Sequence, residues 1–141
     1  MGARHLGDIA ALCQVAKPNI GVVLRVGTAH IGEFGSAEAV ATAKSEMISS
    51  LDNSAVAILG QYDPYTQKMN SLHDGQIITF GESTAADVRA TDIEIREGRP
   101  HFDLVTSAGR AAVGGGAGAQ GAPFAGAAGG DLWRPSLCRT P

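Results

Sequence analysis

The sequence is poor in the features that mark several large classes of protein. Aromatic residues make up only 5% of the 141 residues, so a core must be built from Val, Ile, Leu and Ala. The formal net charge of −3 argues against nucleic acid as a partner, because nucleic acid calls for a basic face. No apolar run approaches the roughly 18–20 residues that a membrane span needs, and the start lacks the apolar segment of a signal peptide.

Cysteines and catalytic motifs are equally scarce. Cys13 and Cys138 lie far apart, and Cys13 falls on an apolar helix face where a small core residue is expected. We therefore expect a reduced, cytoplasmic protein. The sequence has no CxxC pair, no His-x-x-His pair, no Ser/His/Asp set and no GxxxxGK(S/T) P-loop. The glycine run at residues 114–118 lacks the lysine and hydroxyl side chain of such a loop.

Strand and helix patterns alternate over the first eighty residues. Three short runs rich in Val, Ile and Leu indicate strands buried on both faces, and the segments around them have helical spacing. The strands are predicted at residues 20–26, 55–59 and 76–80, and the helices at 6–16, 36–51 and 64–72. Ser36 is expected to cap its helix, and Asp63 is expected to cap the helix that follows it rather than to act in catalysis. This alternation predicts an α/β fold with a mostly parallel sheet.

The pattern changes after residue 87. Residues 88–96 and 101–106 alternate apolar and polar side chains, which predicts a hairpin with its turn at 97–100. From about Ala111 the sequence is almost all Ala and Gly, and such a segment buries too little apolar surface to offset its ordering entropy. We therefore predict a domain over residues 1–112 and a low-complexity, disordered tail over 113–141.

Two residues are candidates for chemistry. His30 lies in a glycine-rich loop, predicted over residues 27–35, just past the carboxyl end of a parallel strand, where α/β sheets bind ligands; an ordinary loop histidine is the alternative. Lys44 lies in the middle of an apolar helix stripe, where a charged lysine is costly to bury. Either its ammonium reaches water past an apolar stem, or it is desolvated and nucleophilic, including towards CO₂. Arg25 ends the strand near His30 and either binds an anion or points into solvent. Four other side chains are expected at the surface: His5, Glu33, His73 and His101.

These residues resemble a known family. The starting sequence MGARHLGDI, the segment VGTAHIGEFGS at residues 26–36 and the AKSE sequence around Lys44 are similar to the central ATPase domain of Mur ligases. The histidine loop with its downstream lysine resembles the branch that adds D-alanyl-D-alanine. The likeness covers roughly residues 1–112.

The resemblance implies part of a three-layer α/β sandwich and an ATP-dependent reaction. In the family, ATP phosphorylates the carboxylate of UDP-N-acetylmuramoyl-tripeptide, and the amine of D-alanyl-D-alanine then attacks the acyl phosphate. Magnesium is the expected metal. By this resemblance His30 is a magnesium ligand and Lys44 becomes N-carboxylated.

The sequence also departs from the family. The P-loop is absent, and the family's magnesium-binding glutamate would stand immediately before Met1. Arg25 replaces a usual asparagine, and LGQYD at residues 59–63 replaces a common Asn-Ala-Asp-Asp sequence. We therefore expect a ligase fragment that is inactive alone, with a tail read from a shifted frame. The alternatives are a non-enzymatic α/β module that binds a small anion or a partner protein, and a chain that does not fold stably.

Overall fold

A computed structural model of the chain describes residues 2–27 and 31–114. The chain forms two compact units, and the boundary between them follows Ala90, inside one of the strands. The helices are α1 (Asp8–Ala16), α2 (Ile31–Phe34), α3 (Ala37–Ser49) and α4 (Pro64–Lys68), with a 3-10 turn at Met69–Leu72. The strands are β1 (Ile20–Val23), β2 (Val56–Gly60), β3 (Gln76–Gly81), β4 (Val88–Arg96), β5 (Arg99–Thr106) and β6 (Gly109–Gly114).

The first unit is built on a parallel sheet. Strands β1, β2 and β3 are hydrogen-bonded in chain order, with Ile20 opposite Val56 and Val56 opposite Gln76. The start of β4 continues the sheet, since Val88 pairs in parallel with Phe80 of β3. The predicted α/β class and mostly parallel sheet are thereby confirmed.

The core of this unit lies between the sheet and α3. Apolar side chains of β1 and β2 pack with those of the helix, and Ile48 and Leu59 are almost fully buried. The buried cluster consists of Val23, Val26, Val40, Ile48, Leu51, Ala55, Ala57, Leu59 and Met69. The predicted cap is confirmed, because the Ser36 hydroxyl accepts a hydrogen bond from the Ala39 amide at 3.2 Å.

The second unit is an antiparallel meander. Strands β4 and β5 are joined through Glu97 and Gly98, which both have positive φ (52° and 75°), as in a type I′ hairpin turn. The predicted hairpin is therefore confirmed, with a turn two residues shorter than expected. Strand β6 pairs with β5, and the Arg110 guanidinium contacts the carboxylates of Asp92 and Asp103.

Two expectations about the chain's organisation need correction. Residues 31–34, predicted as loop, form the short helix α2. Residues 111–114 lie in β6, although composition predicted no order there, because pairing with β5 satisfies backbone groups whatever the side chains are. The rest of the predicted tail, residues 115–141, lies outside the described residues.

Candidate functional site

Lys44 connects α3 to the carboxyl end of β1. Its Nζ atom donates a hydrogen bond of 2.6 Å to the backbone carbonyl of Arg25, and its side chain is half-buried. Helix α3 begins at Ala37, directly after its cap Ser36, and its apolar stripe packs against the sheet, which brings Lys44 to the end of the strand. This geometry corresponds to the first alternative, in which an apolar stem carries the ammonium to the rim of the sheet.

A pocket of about 220 Å³ adjoins Lys44. Its walls come from α1, β1 and α3, and it is lined by Ile9, Val22, Val23, Leu24, Arg25, Lys44 and Met47. Among these described lining residues, the charged side chains are both cationic, Arg25 and Lys44. The pocket therefore lies where the carboxyl end of a parallel strand is expected to offer a ligand site, and its charge suits an anion.

Asp63 fixes the backbone that follows Arg25. Its carboxylate accepts hydrogen bonds from the amides of Val26 (2.8 Å), Tyr65 (3.0 Å) and Thr66 (2.8 Å), and from the Thr66 hydroxyl. Burial raises the pKa of this carboxyl, but the hydrogen bonds from Thr66, Val26 and Tyr65 outweigh it and hold the pKa below its ordinary value. The expectation that Asp63 caps a helix is confirmed, and the bond to Val26 extends its role to the site.

Glu46 ties the start of α1 to α3. Its carboxylate accepts hydrogen bonds from the Gly7 amide at 2.6 Å and the Ala10 amide at 3.1 Å. These amides belong to the first turn of α1, where backbone donors have no intrahelical partner and a negative charge is stabilising. Since Ile9 of α1 lines the pocket, Glu46 also holds one of the pocket's walls.

His30 lies outside the described residues, so its predicted role as a metal ligand is not tested. Within residues 2–27 and 31–114, no group of three or more His, Cys, Asp or Glu side chains is arranged to hold a metal ion. Magnesium prefers oxygen ligands, and the backbone oxygen beside Lys44 already accepts a hydrogen bond. The described residues therefore do not fit a magnesium ion by themselves.

The other candidate side chains are distributed as follows. Cys13 is buried as expected, and burial raises the pKa of its thiol. His5 is exposed, as expected, whereas His101 is half-buried. The prediction that His73 is exposed is wrong: it is buried, and its Nε2 lies 3.0 Å from the carbonyl oxygen of Ala55. This contact satisfies a carbonyl at the start of β2.

The parallel sheet and the lysine at the end of β1 define an α/β domain of the ligand-binding kind. The family model described as "Mur ligase middle domain" matches residues 1–114. The chain belongs to this family.

Individual relatives agree with that assignment. The chain is 42% identical over 105 residues to the UDP-N-acetylmuramoyl-tripeptide--D-alanyl-D-alanine ligase of Mycobacterium tuberculosis, covering 74% of this chain and 21% of that protein. It is 32% identical over 104 residues to the enzyme of the same name from Bacillus subtilis, with 74% and 22% covered. The chain thus spans about a fifth of the length of these relatives.

Solved structures give the same result. MurF from Acinetobacter baumannii matches with a TM-score of 0.74 and 36% identity, covering 81% of this chain and 25% of that one. The MurF ligase from Thermotoga maritima in complex with ADP matches with a TM-score of 0.71 and 30% identity, covering 81% and 26%.

In the part of the chain that the structure describes, no helix is both long and apolar enough to cross a membrane.

Two site contacts could not be predicted from the sequence. The hydrogen bonds from Gly7 and Ala10 to Glu46 join residues 39 and 36 positions apart, and the hydrogen bond from Val26 to Asp63 joins residues 37 positions apart. For Glu46, the available signal was the predicted helix start at residues 7–10. The first backbone amides of a helix have no intrahelical partner, so they need an acceptor from elsewhere. For Asp63, the capping pattern was recognisable, but its second partner was not.

Proposed function

We propose that this chain forms part of the middle domain of an ATP-dependent ligase that adds D-alanyl-D-alanine to UDP-N-acetylmuramoyl-tripeptide. Family membership supports the reaction class, and the relatives of that name support the substrates. The observation that carries the proposal is the position of Lys44. Its Nζ lies at the carboxyl end of a parallel strand, beside a pocket with cationic side chains.

Under this proposal Lys44 is the N-carboxylated lysine and His30 is one magnesium ligand. Both assignments rest on the resemblance of residues 26–36 and 43–46 to the family's motifs. ATP and magnesium are the cofactors that the family implies, and ATP would supply the phosphoryl group that activates the substrate's carboxylate. The substrate is a UDP-linked precursor and the reaction consumes ATP, so we place it in the cytoplasm.

The chain alone is proposed to be inactive. Its sequence contains no GxxxxGK(S/T) segment to cradle the phosphates of ATP, so phosphate binding must be supplied by other residues. Calorimetry with ATP and magnesium on the folded chain tests this point. Absence of binding is the expected outcome, and saturable binding would show that the chain carries its own nucleotide site.

A chimera tests the ligase function itself. Residues 1–114 replace the matching segment of the Mycobacterium tuberculosis relative, and the product is assayed for amide formation from the tripeptide precursor, D-alanyl-D-alanine and ATP. We expect activity in the chimera and a loss of at least about a hundredfold in its Lys44→Met version, as for loss of a group that stabilises charge in the transition state. A folded chimera that binds ATP but makes no product would reject the proposal and favour a non-enzymatic binding module.

A further inference from the structure

The pocket beside Lys44 has an unbalanced charge. Two cationic side chains line it, and among its described lining residues there is no carboxylate. The remaining walls are aliphatic or thioether, so they offer no counter-charge. Lys44 is half-buried and Arg25 is exposed, so solvent screens the repulsion between the two cations only in part. An anion in this pocket would remove that repulsion.

Carboxylation of Lys44 would place such an anion on the side chain itself, so no separate ligand has to be bound. We propose that Arg25 is the counter-ion of N-carboxylated Lys44, and that its positive charge sets how much of Lys44 carries the modification. This inference rests on the proposed function, which makes Lys44 the modified lysine. Arg25 acts through Lys44 and is therefore a positioning residue.

The chemical step balances without any oxidant or reductant. The ammonium of Lys44 first gives one proton to water. The free amine then attacks the carbon of CO₂, an N–C bond forms, and one C=O electron pair moves to oxygen. A second proton leaves the nitrogen to water. The side chain thus changes from a cation to an anion, and the charge of the Arg25–Lys44 pair falls from +2 to zero. The modified nitrogen keeps one N–H, which can still donate to the Arg25 carbonyl that now accepts from Nζ.

The backbone around Arg25 is held from both sides. Its carbonyl accepts from Lys44, and the amide of the next residue, Val26, donates to Asp63 at 2.8 Å. A guanidinium on this anchored backbone has a restricted range of positions, so less freedom is lost when it pairs with a carboxylate. Its planar fork also matches a carboxylate with two parallel hydrogen bonds, which a lysine at the same position lacks.

The test is a ¹³C NMR measurement on the whole chain under ¹³C-labelled CO₂ and bicarbonate at fixed pH. The sequence has three lysines, Lys17, Lys44 and Lys68, so a Lys44→Gln variant assigns the carbamate signal. The test variants are Arg25→Gln and Arg25→Lys, and Arg99→Gln removes a matched charge from an exposed position in the second unit. Because Arg25 is itself exposed, these variants are expected to fold, and circular dichroism checks this.

We expect Arg25→Gln to lower the carboxylated fraction of Lys44 about fivefold, Arg25→Lys to lower it about twofold or less, and Arg99→Gln to leave it unchanged. Added salt should lower the wild-type fraction towards that of Arg25→Gln, because it screens the pair. A carbamate that Arg25→Gln leaves unchanged or increases overturns the counter-ion role alone. If the wild-type chain forms no carbamate at Lys44, both this inference and the proposed modification of Lys44 are overturned, whereas the ligase proposal is judged separately by the chimera.

Discussion

The Asp63 carboxylate accepts a hydrogen bond of 2.8 Å from the backbone amide of Val26, 37 positions earlier in the chain. The same side chain caps α4 through the amides of Tyr65 and Thr66. One carboxylate therefore fixes both the start of a helix and the segment that carries Arg25. Because the Arg25 carbonyl also binds Lys44, the position of the candidate lysine depends on this contact.

Replacing Asp63 should weaken the first unit. Asp63→Ala leaves the amides of Val26, Tyr65 and Thr66 without their acceptor, and we expect it to lower the free energy of unfolding by about 2–3 kcal/mol. Asp63→Asn keeps one oxygen acceptor and should cost about 1 kcal/mol. Urea denaturation measures both. The control is Asp74→Asn at an exposed aspartate, and a loss there as large as that of Asp63→Ala would contradict the assignment.

The same carboxylate should give the fold an acid-sensitive component. The pKa of Asp63 is below its ordinary value of 3.8 in the folded chain, so its contribution is complete above that ordinary value. It is lost as the pH falls below about 4 and through the lowered folded-state pKa. Denaturation curves at several pH values should therefore show a shallower loss of stability below pH 4 in Asp63→Asn than in the wild type. Parallel curves would show that Asp63 is not linked to the acid transition.

Glu46 provides a test of the wall that α1 contributes to the pocket. Glu46→Ala removes the acceptor of the Gly7 and Ala10 amides, and we expect faster hydrogen exchange across the first turn of α1 with about 1 kcal/mol of lost stability. Glu82→Gln, at an exposed position, is the control. Unchanged exchange in Glu46→Ala would mean that α1 is held by its apolar contacts alone.

Local patterns were sufficient to predict most elements of the first unit. The β-branched runs of β1, β2 and β3 and the caps Ser36 and Asp63 are properties of neighbouring residues, which is why the sequence alone located them. Strand β6 was missed because its Ala and Gly side chains carry no periodicity, and its order comes from pairing with β5. For these residues, pairing with a neighbouring strand determined the structure more than the local sequence pattern did.

The candidate site was predictable only in part. Lys44 stood out because a charge interrupts an apolar stripe, yet its contact with the Arg25 carbonyl depends on how α3 lies against β1. His73 was expected at the surface because histidine is polar, but a carbonyl at Ala55 offers its ring a partner in the interior. Long-range hydrogen bonds of this kind leave no local pattern in a single sequence.

The outer strand β1 should govern the tendency of the chain to associate. Ile20 and Val22 of β1 are 44% and 47% exposed, and Leu24 just after the strand is 64% exposed; among the described residues β1 lies at the end of the sheet order. Unpaired, apolar edges favour contacts between chains, and lysine on such an edge opposes them. We expect Ile20→Lys to reduce light scattering on concentration without loss of stability. Its register partner Val56 is 8% exposed, so Val56→Lys should instead cost about 3 kcal/mol or more. Equal effects of the two changes would contradict this reading of the strand.

Two positions require glycine for different reasons: Gly60 because a side chain would clash, and Gly98 because of its backbone conformation. A Cβ at Gly60, at the end of β2, would overlap the carbonyl oxygen of Leu24 in the segment after β1. Gly98 has φ 75° in the hairpin turn, and a Cβ there would meet nothing within 4 Å. Backbone cannot yield as a flexible side chain can, so Gly60→Ala should push the segment at residues 24–27 away and destabilise the first unit by about 3 kcal/mol or more. Gly98→Ala should cost only about 1–2 kcal/mol, the strain of a left-handed residue.

Urea denaturation compares the two, with Gly2→Ala as the neutral control, since a Cβ at Gly2 also meets nothing. If Gly60→Ala proved as mild as Gly98→Ala, the segment that carries Arg25 would be free to move, and the close approach of β2 to it would not fix the position of the pocket.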